Sequence, residues 1–202
     1  MPKVGTKTSI AFFDFDGTIT RKDSMWLFLK FFSGKRTFYL RIILLFPALV
    51  LFKLGIISSK KIKEIVFNNF FRNFDYSLFE EKCKKFNEQI LLYYIRPEAS
   101  QKIAWHRERG HQIVVVSASP KNWIRYWSEN QNIDLIATEL ELSNGKLTGK
   151  IAGQNCKGKQ KVVQIKQRYN LENFNLIYAY GDSKGDSEML SMADKAFYKV
   201  FD

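Results

Sequence analysis

Two carboxylates one residue apart, Asp14 and Asp16, close the apolar run Ile10-Ala-Phe-Phe and are followed at once by Gly17 and Thr18. On an extended backbone, side chains two positions apart leave the same face, so both acids address one point while Phe15 turns towards a core. One carboxylate can then attack as a nucleophile while the other moves a proton at the same reacting atom. Three further polar groups follow in order: Ser117 after Val114-Val-Val, Lys161 in the stretch Asn155-Cys-Lys-Gly-Lys-Gln-Lys, and Asp182 with Asp186 in Gly181-Asp-Ser-Lys-Gly-Asp. Each has a plain reading alone. Asp-Gly marks turns, Ser117 could be a turn hydroxyl, Lys161 a surface lysine, and Gly-Asp-Ser a loop. Their order, each at the mouth of a strand or helix, speaks against coincidence.

Those groups need a scaffold that brings strand ends together. Ile10–Phe13, His111–Ser117, Ile133–Thr138 and Leu176–Ser183 read as buried strands, with a short last strand over Ala196–Val200. Helices are predicted from Pro97 to Arg109, from Pro120 to about Asn130, from about Gly158 to Tyr169, and from Gly185 to Ala193. Asn144-Gly145 between two alternating stretches predicts a β-hairpin. Strand and helix alternate, so the expected class is α/β, a doubly wound parallel sheet whose ligands lie outside the carboxyl ends of its strands.

Residues 21–95 break that alternation. They show only helical periodicity: Met25–Phe32 capped by Asp23 or Ser24 and stopped by Ser33-Gly34, then Ile62, Ile65, Val66 and Phe70 on one face, then Phe79, Cys83, Phe86, Ile90 and Tyr94 on another. The expectation is an all-helical insertion placed directly after the acidic strand end, with 1–20 and 96–202 forming the core. Within it, Ile42–Phe52 is eleven residues without a polar side chain, bracketed by Arg41 and Lys53. As a helix it reaches only ~16 Å, against ~30 Å of bilayer hydrocarbon. Three readings stand: a buried helix kinked at Pro47, an interfacial membrane anchor, or a poor span with Arg41 and Lys53 at its ends.

Composition bounds the rest. The chain has 202 residues, 46% hydrophobic and 26% charged, enough for one domain with a large insertion and without a disorder signature. Cys83 and Cys156 stand far apart, with no disulfide or zinc spacing, which fits a reducing cytosol. Met1–Ser9 has no apolar signal core. The net charge is +12, and residues 21–95 carry 14 Lys/Arg against 6 Asp/Glu. That basic lobe suits an anionic partner: a phosphate substrate, an anionic membrane surface, or nucleic acid. No nucleic-acid motif accompanies it, so a nucleic-acid-binding module is the remote alternative and no nucleic-acid partner is expected. His106 and His111 read as ordinary surface or strand-edge residues. The expected location is cytoplasmic, or peripheral at the inner face of the membrane.

DFDGT (14–18), the strand ending in Ser117, Lys161, and GDSKGD (181–186) resemble the four motifs of the haloacid dehalogenase-like phosphohydrolases. The helical insertion and the hairpin are similar to subfamily IB, which includes phosphoserine phosphatases and phosphatidylglycerophosphatase C-type enzymes. The resemblance implies a Rossmann-like core with an all-helical cap after the first strand and a β-hairpin before the fourth motif. It also implies a Mg²⁺-dependent phosphatase that works through an aspartyl-phosphate. Asp14 would be the nucleophile and Asp16 the acid and base. Mg²⁺ would be held by Asp14, Asp182 and the Asp16 backbone carbonyl, with Asp186 as a ligand or as the group orienting metal waters. Thr18, Ser117, Ala118 and Lys161 would bind the phosphate, Lys161 also keeping Asp14 ionised.

Asp16 itself argues for phosphoryl transfer, since dehalogenases need no second acid there and transport ATPases of the superfamily carry Thr. Phosphoserine phosphatases usually read DxDST, with Glu nine residues past the nucleophile; here Gly17 and Asp23 stand in those places. The expected substrate is therefore a phosphomonoester, a lipid phosphate such as phosphatidylglycerophosphate or else a small phosphate of the phosphoserine type.

Overall fold

The computed structural model describes residues 8–201, so most of the Met1–Ser9 segment lies outside the described residues. Six strands form one sheet: β1 (Ile10–Phe13), β2 (Gln112–Pro120), β3 (Asp134–Ser143), β4 (Lys146–Ala152), β5 (Ile177–Gly181) and β6 (Lys195–Tyr198). Their order is β4-β3-β2-β1-β5-β6, parallel except for the antiparallel β3–β4 hairpin. The expected α/β class is thus the observed one. β1 lies at the centre, between β2 and β5, so Asp14 emerges flanked by the ends of both neighbours.

The period-2 alternation of β1 serves two cores. Ile10 and Phe12 pack with Val114, Val116 and Ala179 against α7 (Lys159–Arg168) and α8 (Ser187–Ser191). Ala11 and Phe13 face the other way, towards α5 (Pro97–Glu108) and α6 (Lys121–Asn130). A helix layer on each side of the sheet is what lets β1 be apolar throughout.

The insertion contains α1 (Ser24–Ser33), α2 (Lys35–Lys53), α3 (Ser59–Phe71) and α4 (Tyr76–Gln89). Asp23 caps α1 by accepting the Met25 and Trp26 N–H groups, and Gly34 closes it at φ 78°. Its apolar core is continuous with that of the α5–α6 layer: Phe28 stacks on Trp123 of α6 at 4.6 Å between ring centroids. The insertion is also tied to the hairpin. Asn73 N–H donates to the Leu147 carbonyl and Leu147 N–H to the Phe74 carbonyl, while a Cβ on Gly149 would stand 2.4 Å from Asn68 Cα. Only glycine lets α3 lie that close to β4.

Four expectations change. The helix predicted through Tyr94 ends at Gln89, because Ile90 leaves helical geometry (φ −127°, ψ −55°) and Leu91–Tyr94 tightens into a single 3₁₀ turn. That turn brings Arg96 N–H back to the Ile19 carbonyl, closing the insertion beside its start. α2 is not the buried kinked helix: it runs from Lys35 to Lys53 with Pro47 inside, and Leu45 is its sole buried residue. α1 and α3 pack against it, and its packed residues Phe38, Leu45, Ala48 and Leu49 share one side. Nor is it a span, for among the described residues no helix is long and apolar enough to cross a membrane.

His106, expected near the surface, is fully buried. α5 lays it on the sheet against Phe13, with Nδ1 2.8 Å from His111 Nδ1 and Nε2 2.9 Å from the Tyr180 hydroxyl.

Candidate active site

A cavity of about 400 Å³ opens at the carboxyl ends of β1, β2 and β5. Asp14 and Asp16 line it together with Lys161, Asp182 and Asp186, although these come from distant parts of the chain. Gly17 turns the chain there at φ +83°, and a Cβ on it would lie 2.2 Å from Asp182 Oδ2. The glycine therefore serves both the turn and the close approach of the β5 acid.

Lys161, in the first turn of α7, is the charge centre. Its ammonium donates to Asp14 Oδ1 at 2.5 Å, to Asp186 Oδ1 at 2.6 Å and to the Val116 carbonyl at 2.7 Å. All three side chains are at least nine-tenths buried. Burial alone would lower the lysine pKa, but the Asp14 and Asp186 carboxylates outweigh it and hold the ammonium well above its ordinary value. Asp186 is pinned on its other oxygen by the Ser183 N–H and hydroxyl. Burial raises its carboxyl, and the Lys161 charge and these bonds overcome that to leave it below the usual range.

Asp14 is pushed the other way, up to about 7. Loss of water around it is the main cause; Lys161 opposes the shift, and the Asp186 and Asp16 charges add to it. One lysine does not balance this much negative charge. One carboxylate oxygen from each of Asp14, Asp182 and Asp186 lies within 4.8 Å of the others. An all-oxygen donor set, buried at Asp14 and Asp186 and half-buried at Asp182, with surplus negative charge fits a hard divalent cation such as Mg²⁺.

Asp16 is held by Ser24, which the sequence offered only as a helix cap, and by Ser119, which it did not single out. Its Oδ1 accepts the Ser24 backbone N–H at 2.6 Å, and its Oδ2 accepts the Ser119 hydroxyl at 2.6 Å. Ser24 donates its own hydroxyl to Ser119 at 3.3 Å, and the buried Trp123 indole N–H donates to Ser24 at 3.1 Å. Ser117-Ala-Ser119 repeats the two-apart spacing of Asp14-Phe-Asp16, and that was the available signal.

The remaining candidates divide. Ala118 and Ser119 line the cavity; Ser117 is fully buried behind them, its hydroxyl accepting the Ser119 N–H at 3.0 Å. Thr18 is buried, its hydroxyl 3.5 Å from Asp14 Oδ2. Lys63 reaches in from α3, donating to the Ala118 carbonyl at 2.6 Å and to Asn155 Oδ1 at 3.2 Å, and burial lowers its pKa to about 8. Nothing local distinguishes Lys63 from its neighbours Lys60 and Lys61, so the sequence showed it only as part of a basic lobe.

The geometry thus joins a buried carboxylate, a second oriented acid and a fixed ammonium at one opening, which is equipment for displacement at an anionic centre. The sequence profile described as haloacid dehalogenase-like hydrolase matches residues 11–191. Protein CicA of Caulobacter vibrioides is 32% identical over 201 residues, covering 98% of this chain and 89% of that one. Among solved structures, a Bordetella pertussis Tohama I protein described as having unknown function superposes with a TM-score of 0.81 at 21% identity, over 93% of this chain and 88% of that one. A phosphoserine phosphatase captured as a phospho-aspartyl intermediate analogue gives 0.68 at 20% identity, over 93% and 84%. Both likenesses are of fold.

Proposed function

This chain belongs to the haloacid dehalogenase-like hydrolase family, and from that premise we propose that it is a Mg²⁺-dependent phosphomonoesterase acting through an aspartyl-phosphate on Asp14. The observation that carries the reading is Lys161 bonded at once to Asp14 and Asp186, with Asp182 in reach of both acids.

In this mechanism an Asp14 carboxylate oxygen attacks phosphorus as the bond to the alkoxide oxygen breaks, and Asp16 gives that oxygen its proton. Asp16 then takes a proton from a water whose oxygen attacks the phosphorus of the aspartyl-phosphate, returning Asp14 and releasing phosphate. Lys161 would balance the charge that gathers beside Asp14, with Ala118 and neighbouring backbone N–H groups at the cavity wall to hold the phosphoryl oxygens. Ser117 and Thr18, buried behind that wall, would act by holding it in place. Asp14, Asp182 and Asp186, with the Asp16 carbonyl, would hold the Mg²⁺, which when bound supplies positive charge for the phosphoryl oxygens.

We assign substrate choice to residues 21–95 as the cap over a core of 1–20 and 96–202. The substrate we favour is a lipid phosphate such as phosphatidylglycerophosphate. Support comes from Arg21, Lys22, Lys63 and Lys157, which surround the opening and suit an alcohol carrying further negative charge. Likeness of fold to phosphoserine phosphatases favours a small phosphate instead, whereas Asp23 in place of their usual Glu speaks against it.

The test is hydrolysis of an aryl phosphate, of phosphoserine and of lipid phosphates, with Mg²⁺ or with chelator. Mg²⁺-dependent turnover abolished by Asp14→Asn is expected, with the lipid phosphate preferred. Turnover that survives the substitution overturns the mechanism.

A further inference from the structure

α2 carries an apolar face that the chain leaves uncovered. Its inner side, with Phe38, Leu45, Ala48 and Leu49, packs against the core that α1 and α3 share. The opposite side shows Leu40, Ile43, Leu44 and Phe46 at 64%, 68%, 73% and 64% exposure. The turn beyond it adds Leu54 and Ile56, at 68% and 65%. Helices apolar all round belong in a protein core or in contact with lipid, and contiguous patches of this kind mark interaction sites.

The charge around the face decides between occupants. From Ser24 to Lys63 there are eight Lys/Arg and no Asp/Glu. Lys35 and Arg36 stand exposed at one end of α2, and Lys53 and Lys61 at the other. A second copy meeting this face would bring like charges together, at a cost. An anionic bilayer meets both requirements, taking the apolar side chains below its headgroups and the cations among them.

α3 runs back along α2, since Arg41 donates to the Asn69 carbonyl near α3's far end. The end of α2 therefore lies beside the start of α3. That start is docked at the site: Lys60 donates to the Gly153 carbonyl, Ser59 accepts from Asn155, and Lys63 lines the cavity. The turn that carries Leu54 and Ile56 thus leads directly into the helix whose first turns reach the pocket.

We propose that α2 and the turn after it are an in-plane docking surface for an anionic lipid bilayer, seating the cavity mouth at headgroup level. Docking needs no turnover, so it stands or falls separately from the phosphatase reading. A lipid phosphate could then enter from the surface without crossing water.

The experiment is sedimentation of the full chain with phosphatidylcholine vesicles, with or without 30% phosphatidylglycerol, and without lipid as a control. Wild type should pellet with the anionic vesicles and be released by salt. Leu44→Asp and Leu40→Asp should each weaken this about tenfold, the effect of keeping one leucine out of the apolar layer. Both should hydrolyse a soluble aryl phosphate as wild type does, which shows that the fold is intact. Absence of vesicle binding at low salt, equal binding to both vesicle types, or Leu44→Asp binding like wild type overturns the proposal. So does a concentration-dependent dimer that Leu44→Asp dissociates in a chain that ignores vesicles, which would assign the face to a second copy.

Discussion

Ser119 donates its hydroxyl to Asp16 Oδ2 at 2.6 Å, the last link of a hydrogen-bond chain that starts on the Trp123 indole and passes through Ser24. Trp123 is fully buried and stacked on Phe28, so the packing between insertion and core fixes the direction of a carboxylate at the cavity wall. Asp16 is aimed by its surroundings rather than by its own backbone.

Ser119→Ala should leave Asp16 with one of its two bonds. We expect kcat/KM for an alkyl phosphate to fall about ten- to a hundredfold, part of what a well-placed general acid contributes. The loss should be much smaller for a nitrophenyl phosphate, whose leaving group needs no proton. Equal losses on both substrates would mean that Ser119 matters only to the fold.

Lys161→Met removes the cation bonded to both buried carboxylates, Asp14 and Asp186. Breaking a buried pair in this way costs about 3–5 kcal/mol. The remaining acids then bind protons more tightly in the folded chain than in the unfolded one, so stability falls as pH rises. Urea unfolding at pH 8 should show a larger deficit than at pH 5; a deficit independent of pH would contradict the charge argument.

Divalent-ion binding is readable without turnover. At a Mg²⁺ concentration about a hundredfold above its dissociation constant, binding to the folded state adds about 2.7 kcal/mol. For a chain of this size that raises the thermal midpoint by roughly 5–10 °C. Asp182→Asn should abolish most of the rise, and an unchanged rise would move the ion elsewhere.

His106 should make the protein acid-sensitive. Burial is the main cause that holds its pKa down at about 3, with the charges of His111, Lys102 and Arg109 adding to it. The unfolded chain binds a proton there near pH 6.5, so between that pH and about 3 the unfolded state carries the extra proton and stability falls as pH falls. One such group contributes a slope of at most about 1.4 kcal/mol per pH unit. His106→Gln should flatten the urea-midpoint profile over that window, and identical wild-type and variant profiles would assign the slope to other groups.

Much of this was legible along the chain. Two acids on one strand face, a glycine turn after them, a hairpin at Asn144-Gly145 and α1 between Asp23 and Gly34 follow from backbone periods and local φ preferences, which a few neighbouring residues set. What the sequence could not supply is which surface finds a partner. Ser24 and Ser119 bracket Asp16 only because α1 and the end of β2 meet there, ninety-five positions apart in sequence. Lys63, alike in sequence to Lys60 and Lys61, faces the cavity only because α3 is strapped to the hairpin. Ile42–Phe52 reads the same whether covered or bare, and His106 lies under a helix on the sheet. Periodicity is a property of consecutive residues and so belongs to the sequence. Burial is a property of what arrives from elsewhere in the chain, and it belongs to the tertiary structure.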